Sequence, residues 1–190
     1  KEKMMKQTAK EELVIVLDFL PHGYPFDTRP MHQKTAIAQA IGKNFFTLLE
    51  LVPKKGEFLQ PHEEVYIGDG KRDKIHHIVG KVPLSKLTQT AKMELDFVIE
   101  KMVDKNEEKF IAFFNKAGPI NMRVHQLELL PGIGKKHTLM ILEGREESPF
   151  ESFEDLKKRV KLVPDPKKTI VRRIYAELDD GDKHKLFVRS

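Results

Sequence analysis

Leu127-Glu128-Leu129-Leu130-Pro131-Gly132-Ile133-Gly134-Lys135-Lys136 is the stretch that decides how this chain is read. It predicts a helix over Met122–Leu130, a tight Pro-Gly-Ile-Gly hairpin, and a second helix over Lys135–Arg145 that opens on two lysines. Gly132 and Gly134 lack a Cβ, so the turn can take positive φ and a ligand can approach the backbone closely. Ile133 between them is expected to point inward and anchor the turn. The amides of Gly134, Lys135 and Lys136 have no intrahelical acceptor and lie at the positive end of the helix dipole. With two ammonium groups beside them they make a seat for one or two phosphates along a nucleic-acid strand. Such contacts position a protein without reading bases. The bland alternative is a helix connector that uses glycine for geometry alone.

A weaker copy follows downstream. Ser152, with Asp155 three residues later, opens a helix through Val160. Val163-Pro164-Asp165-Pro166 turns the chain, and Lys167–Leu178 forms the next helix until Asp179-Asp180-Gly181-Asp182 ends it. Lys167-Lys168 therefore repeats Lys135-Lys136. Asp165-Pro166 stands where glycines would sit, and Pro166 has no N–H to donate. The second turn is read as a structural partner of the first, with Lys167 and Lys168 as secondary contacts only. Neither copy can bury its apolar face alone, whereas two packed together form one compact helical unit. Leu186-Phe187-Val188 reads as a last strand.

Upstream the pattern changes to short apolar runs. Glu12–Leu20, Thr35–Ile41, Phe45–Val52, Glu64–Gly68 and Lys74–Val82 read as strands, separated by Gly- and Pro-rich turns. Gly42-Lys43-Asn44 is expected to be a hairpin turn using positive φ. Five short strands within about 75 residues suggest a small closed or nearly closed barrel. Between the two parts, Ala91–Val103 has helical spacing with Met93, Phe97, Ile99 or Glu100, and Val103 on its apolar side, and Ser85 or Thr88 is placed to cap it. Asn106–Ala117 follows with Phe110, Ile111, Phe113 and Phe114 as its stripe.

Composition narrows the function classes. The 190 residues contain no cysteine, which excludes disulfides, thiolate metal sites and a cysteine nucleophile. No run approaches a membrane span, and the charged Lys1–Glu12 lacks the apolar centre of a signal peptide, so a soluble cytoplasmic protein is expected. The net charge is +5. Residues 1–115 carry 18 basic and 17 acidic side chains and residues 116–190 carry 16 and 12, so the excess sits with the hairpin. His62, His76, His77, His125 and His137 form no helical chelating pair, and His76 and His77 should face opposite ways in a strand. Asp18 and Asp27 flank a Pro/Gly-rich loop without an identifiable partner; an acidic metal site there is the sole route to an enzyme. No catalytic motif occurs, and the chain is read as non-enzymatic.

Leu127–Ile141 resembles a helix-hairpin-helix motif, with Thr138 at a small-residue position where alanine is commoner. That resemblance implies backbone binding to DNA or RNA without sequence preference, with a monovalent cation sometimes held by hairpin carbonyls. The whole chain is similar to an archaeal family labelled domain of unknown function 655. The similarity rests on Ile37–Gly42, Phe46–Leu51, Lys71–Ile75, Leu129–His137 and Pro149–Asp155. It implies an OB-like barrel, a tandem helix-hairpin-helix domain and an RNA-binding role. OB-like barrels bind single strands with stacking rings and a basic groove. Phe45, Phe46, Phe58 and Tyr66 are the available rings, although core packing suits most of them better. Lys54-Lys55 and Lys71-Arg72-Asp73-Lys74 are the basic loops.

The reading is an α+β multidomain protein with a barrel over 1–83, a helical connector over 84–117 and a tandem hairpin domain over 118–190. The expected function is sequence-independent nucleic-acid binding, RNA favoured and DNA admissible. Gly132, Ile133, Gly134, Lys135, Lys136 and Thr138 form its site. Lys54, Lys55, Lys71, Arg72, Lys74, Lys167 and Lys168 are secondary contacts. No cofactor or resident metal is called for beyond the monovalent ion at the hairpin. The rival is an assembly module on a ribonucleoprotein or transcription complex, with little nucleic-acid affinity of its own.

Overall fold

The computed structural model describes residues 10–179 and 184–189. Five strands, β1 (Leu13–Leu20), β2 (Ile37–Gly42), β3 (Leu48–Pro53), β4 (Glu64–Tyr66) and β5 (Ile75–Lys81), form one antiparallel sheet in the order β4-β1-β2-β3-β5. Five helices follow: α1 (Gln89–Lys105), α2 (Glu107–Lys116), α3 (Lys135–Glu147), α4 (Phe153–Arg159) and α5 (Pro166–Leu178). The described residues form two compact units, 10–94 with Arg189, and 95–188. The division falls inside α1. The segment expected to be a connector over 84–117 is thus shared between the units, and α2 belongs wholly to the second.

In the first unit the period of two sets the core. Val14, Val16, Ala38, Ala40, Leu49 and Leu51 alternate onto one face and close over Leu59, Val65, Ile67 and Ile75. Register shifts at Val16/Asp18 in the β1–β2 ladder and at two points in the β3–β5 ladder curl the sheet into a half-barrel. One shift lies at His76–His77. The bulge turns the two rings toward each other, with Nδ1 atoms 2.7 Å apart, where regular alternation would have parted them.

The opposite face carries a buried polar knot. The Gln39 amide is fully buried; its Nε2 donates to the Tyr24 hydroxyl and to Lys86 O, and its Oε1 accepts from Thr88 N. The Thr88 hydroxyl accepts from Ala91 N, so Thr88 does cap α1, and it donates to Asp18. The apolar side of α1 is Ala91, Leu95, Val98, Ile99, Met102 and Val103, all buried. Met93 and Phe97 are exposed. The two rows interleave in sequence, and the row with more apolar members wins.

Gly42 is a turn glycine for a different reason than φ. The Glu11 carboxylate accepts from Asn44 N, Phe45 N and Thr47 N. A Cβ on Gly42 would stand 2.0 Å from the Glu11 Cδ. The positive φ of this turn falls on Phe46, which is buried. Phe45 and Phe46 therefore belong to the turn, and β3 begins at Leu48.

In the second unit the expected helix over Met122–Leu130 is replaced by two tight turns. The Asn121 Oδ1 accepts from Arg123 N and Val124 N, and a short 3₁₀ turn covers Gln126–Leu129. His125 and Glu128 cap that turn reciprocally. Leu130 precedes Pro131 and is held extended at φ −75°, ψ 129°, which stops any helix there. The tail likewise forms no strand at Leu186–Val188. Its amides are taken by a buried carboxylate instead: Glu177 accepts from Leu186 N, Phe187 N and Val188 N at 2.9–3.0 Å, and from Arg173 Nε at 2.8 Å. Phe187 then packs edge-on against Phe110 and Phe113. Part of the expected α5 terminator, Asp180 to Asp182, lies outside the described residues.

Candidate nucleic-acid interface

The hairpin is built as a rigid turn with an open amide face. Gly132 has φ +83°, and a Cβ there would lie 3.2 Å from Pro164 Cγ. The glycine thus serves both the left-handed backbone and close approach by the second hairpin. Ile133 is buried and its N–H donates to Leu130 O. Gly134 caps α3 with extended backbone and no side chain. Among the described residues nothing accepts from the amides of Gly134, Lys135, Lys136 or His137. A Cβ on Gly134 would meet nothing within 4 Å. The first turn of a 13-residue helix therefore presents adjacent donors to an accessible surface.

The flanking side chains are unequal. The Lys135 ammonium donates to Arg123 O at 2.6 Å and to Glu128 at 3.1 Å. The Glu128 carboxylate is held below its usual range, first by the His125 N–H and then by that ammonium. Burial and the nearby Arg145 charge lower the His125 imidazole, favouring the neutral ring whose Nδ1 caps the 3₁₀ turn. Lys136 is exposed and has no ion pair among the described residues. Thr138 is buried and its hydroxyl donates to Gly134 O at 2.8 Å. It clamps the helix start and does not face a ligand. The Pro131 carbonyl accepts from the Thr169 hydroxyl, which ties the two hairpins together and occupies one carbonyl that a cation would need.

The second hairpin differs in its wiring. The Asp165 carboxylate accepts from Lys167 N and Lys168 N, so α5 carries its own anion where α3 has none. The Lys167 ammonium is spent on Asp104 and Glu100. The remaining secondary candidates also divide. Lys54 Nζ donates to Arg72 O, Arg72 Nε donates to Gly68 O, and Lys74 pairs with Glu63. Lys55, Lys71 and Lys168 have no such partner among the described residues. Arg72 borders a cleft of about 870 Å³ together with Lys10, Lys81 and Arg189, but Glu11, Glu12 and Asp69 line it too. Its mixed charge does not select an anion. Of the four candidate rings, Phe46 is core, Phe45 lies under the Arg189 guanidinium, and the Tyr66 hydroxyl accepts from Gly70 N. Phe58 alone is widely exposed.

The two acidic residues are engaged by separate partners. Asp18 is bonded to Thr88, and Asp27 is held at about 2 by Arg29. No cluster of three or more metal-ligating side chains occurs among the described residues. No helix among them is long and apolar enough to cross a membrane.

A family model described as "Protein of unknown function (DUF655)" matches residues 10–189. The chain belongs to this DUF655 family. It is 42% identical to the Uncharacterized protein MJ0038 of Methanocaldococcus jannaschii over 189 residues, covering 98% of this chain and 84% of that protein. The crystal structure of Af1531 from Archaeoglobus fulgidus, also DUF655, superposes with a TM-score of 0.87 at 45% identity, covering 94% of this chain and all of that one. A shorter stretch of 59 residues is 37% identical to part of the DNA polymerase III PolC-type of Mycoplasma genitalium, covering 30% of this chain and 4% of that protein. The DUF655 match spans both compact units, so the sheet and the hairpins belong to one family architecture.

Proposed function

We propose that this DUF655 protein is a nucleic-acid-binding protein, RNA favoured, that grips the phosphate backbone through the Gly132–Lys136 hairpin and has no enzymatic activity. The observation that carries the reading is the contrast between the two hairpins. Asp165 fills the amide nest of α5 with a carboxylate. The equivalent nest of α3 has no carboxylate and has an exposed lysine beside it, which suits an external anion. On this reading the 3₁₀ turn with α3, and α4 with α5, are two helix-hairpin-helix units, the first with a shortened leading helix. The sheet is read as an OB-like barrel opened between its edge strands β4 and β5. The short match to a DNA polymerase segment is in keeping with a nucleic-acid role.

The test is fluorescence anisotropy of labelled single- and double-stranded RNA and DNA across a salt series, with wild type and Lys135→Glu/Lys136→Glu. Wild type is expected to bind, with affinity falling steeply as salt rises. The double charge reversal is expected to weaken binding at least tenfold. Binding unchanged by the reversal would remove the hairpin from the site. Absence of binding to every nucleic acid at low salt would favour the assembly-module reading.

A further inference from the structure

Two apolar side chains on loops tied to the first turn of α3 are almost wholly exposed. Met122 is fully exposed and Leu162 is 88% exposed. Hydrogen bonds fix where each loop lies. The Lys135 ammonium donates to Arg123 O, which draws the Asn121–Val124 turn and its tip residue Met122 to the start of α3. His137 Nε2 bonds to Leu162 O at 3.0 Å, which draws the tip of the second hairpin to the same helical turn. Lys135 and His137 are two residues apart, so roughly 200° apart around the helix axis. Met122 and Leu162 therefore flank the seat from different sides.

Both are held rigidly. Met122 sits at the tip of a turn whose two following amides are taken by the Asn121 side chain. Leu162 has φ +64°. Single exposed apolar residues are ordinary on a protein surface. A bulky side chain in left-handed backbone is not, because glycine or asparagine occupies that region at lower cost. Leu162 buries almost nothing in return, so packing does not account for it. Strain kept where it brings no internal contact points to an external one.

We infer that Met122 and Leu162 are apolar wedges that press against bases on either side of the phosphates the hairpin holds. The inference rests on the hairpin reading above and adds a target class to it. Apolar side chains inserted between bases cost unstacking energy. That cost is smallest where stacking is already interrupted. The preferred ligand is a duplex with a bulge or mismatch, ahead of an uninterrupted duplex of the same length.

The experiment uses the full chain and two duplexes of equal length, one perfect and one with a single-nucleotide bulge, each in RNA and DNA form. A 2-aminopurine beside the bulge reports unstacking. Wild type is expected to bind the bulged duplex at least fivefold more tightly and to raise the 2-aminopurine emission. Met122→Ala/Leu162→Gly is expected to lose both the preference and the emission change. Its log affinity against log salt slope should match wild type, since the phosphates contacted are the same. Leu162→Gly relieves the backbone, so loss of folding does not confound the result; a melting curve verifies it. A double variant that keeps the preference, or a wild type that binds both duplexes equally, overturns the wedges and leaves the hairpin standing. A wild type that binds neither duplex overturns both readings.

Discussion

Tyr24 shows how much one side chain can report. Its hydroxyl donates to Glu50 and accepts from the buried Gln39 amide. Burial, then the Glu50 carboxylate, pushes the phenol up from 10.0 to about 12. The folded state therefore holds this proton more tightly than the unfolded chain. The contribution to stability is complete below pH 10 and is lost as pH rises toward about 12. In an ultraviolet phenolate titration one of the three tyrosines should titrate late, and Tyr24→Phe should delete that step. Three tyrosines titrating together near 10 would sink the assignment. Nothing in the sequence announced this knot, because Gln39 and Tyr24 are far apart in the chain and an apolar strand rarely hides a glutamine. Gly42 was legible as a turn residue, but not as the residue that makes room for Glu11. Thr138 was legible as small and not as the clamp it is. The hairpin glycines were readable because their demand is local: a left-handed φ at Gly132 and an uncovered amide face at Gly134 are set by neighbours in sequence.

Among the elements, the strands and the helices α1 to α5 were the legible part. The strands' alternation and the Gly/Pro turns between them act over a few residues, and each expected strand of the sheet is present within a few residues of its expected ends. Elements decided by a distant group were not legible. The tail is the clearest case, since Leu186-Phe187-Val188 has strand composition yet donates its amides to Glu177 on α5. Arg173 and Glu177 are an i, i+4 buried pair, and Arg173 also donates to His184 O. Removing one charge from a buried, hydrogen-bonded pair typically costs about 3–5 kcal/mol. Glu177→Gln keeps the shape but faces the tail amides with a donor in place of one acceptor. It should lower unfolding free energy by about 2–4 kcal/mol, somewhat less than full loss of the pair. Hydrogen exchange at Leu186, Phe187 and Val188 should accelerate more than exchange in the sheet. Equal acceleration in both would mean that the carboxylate does not hold the tail. The α4–α5 turn gives the opposite sign. Leu162→Gly exchanges about 1–2 kcal/mol of left-handed strain for about 0.5–1 kcal/mol of added unfolded-state entropy. A small gain in Tm is expected, and a clear loss would show that Leu162 packs in solution.

For the whole molecule the question is which positive charges are available to a nucleic acid. A net charge of +5 does not answer it, because some of the basic side chains already face a carboxylate. Lys74 is paired with Glu63, and Lys167 with Asp104 and Glu100. The shared carboxylates also raise both ammonium groups above their usual range. A cation already facing a carboxylate has little counterion atmosphere to exchange with phosphate, so it adds little to the salt dependence of binding. Lys136 and Lys168 have no such partner among the described residues and flank the two hairpins. Their contributions should differ, because only the α3 nest lacks its own carboxylate. Lys136→Gln should therefore reduce the slope of log affinity against log salt by about one. Lys168→Gln should reduce it by a smaller amount, and Lys74→Gln and Lys167→Gln should leave it unchanged. Measuring all four slopes on one RNA separates a localised phosphate seat from diffuse attraction to a basic surface. Equal reductions across the four lysines would mean that charge alone draws the strand, and that the wiring of the two hairpins has no part in binding it.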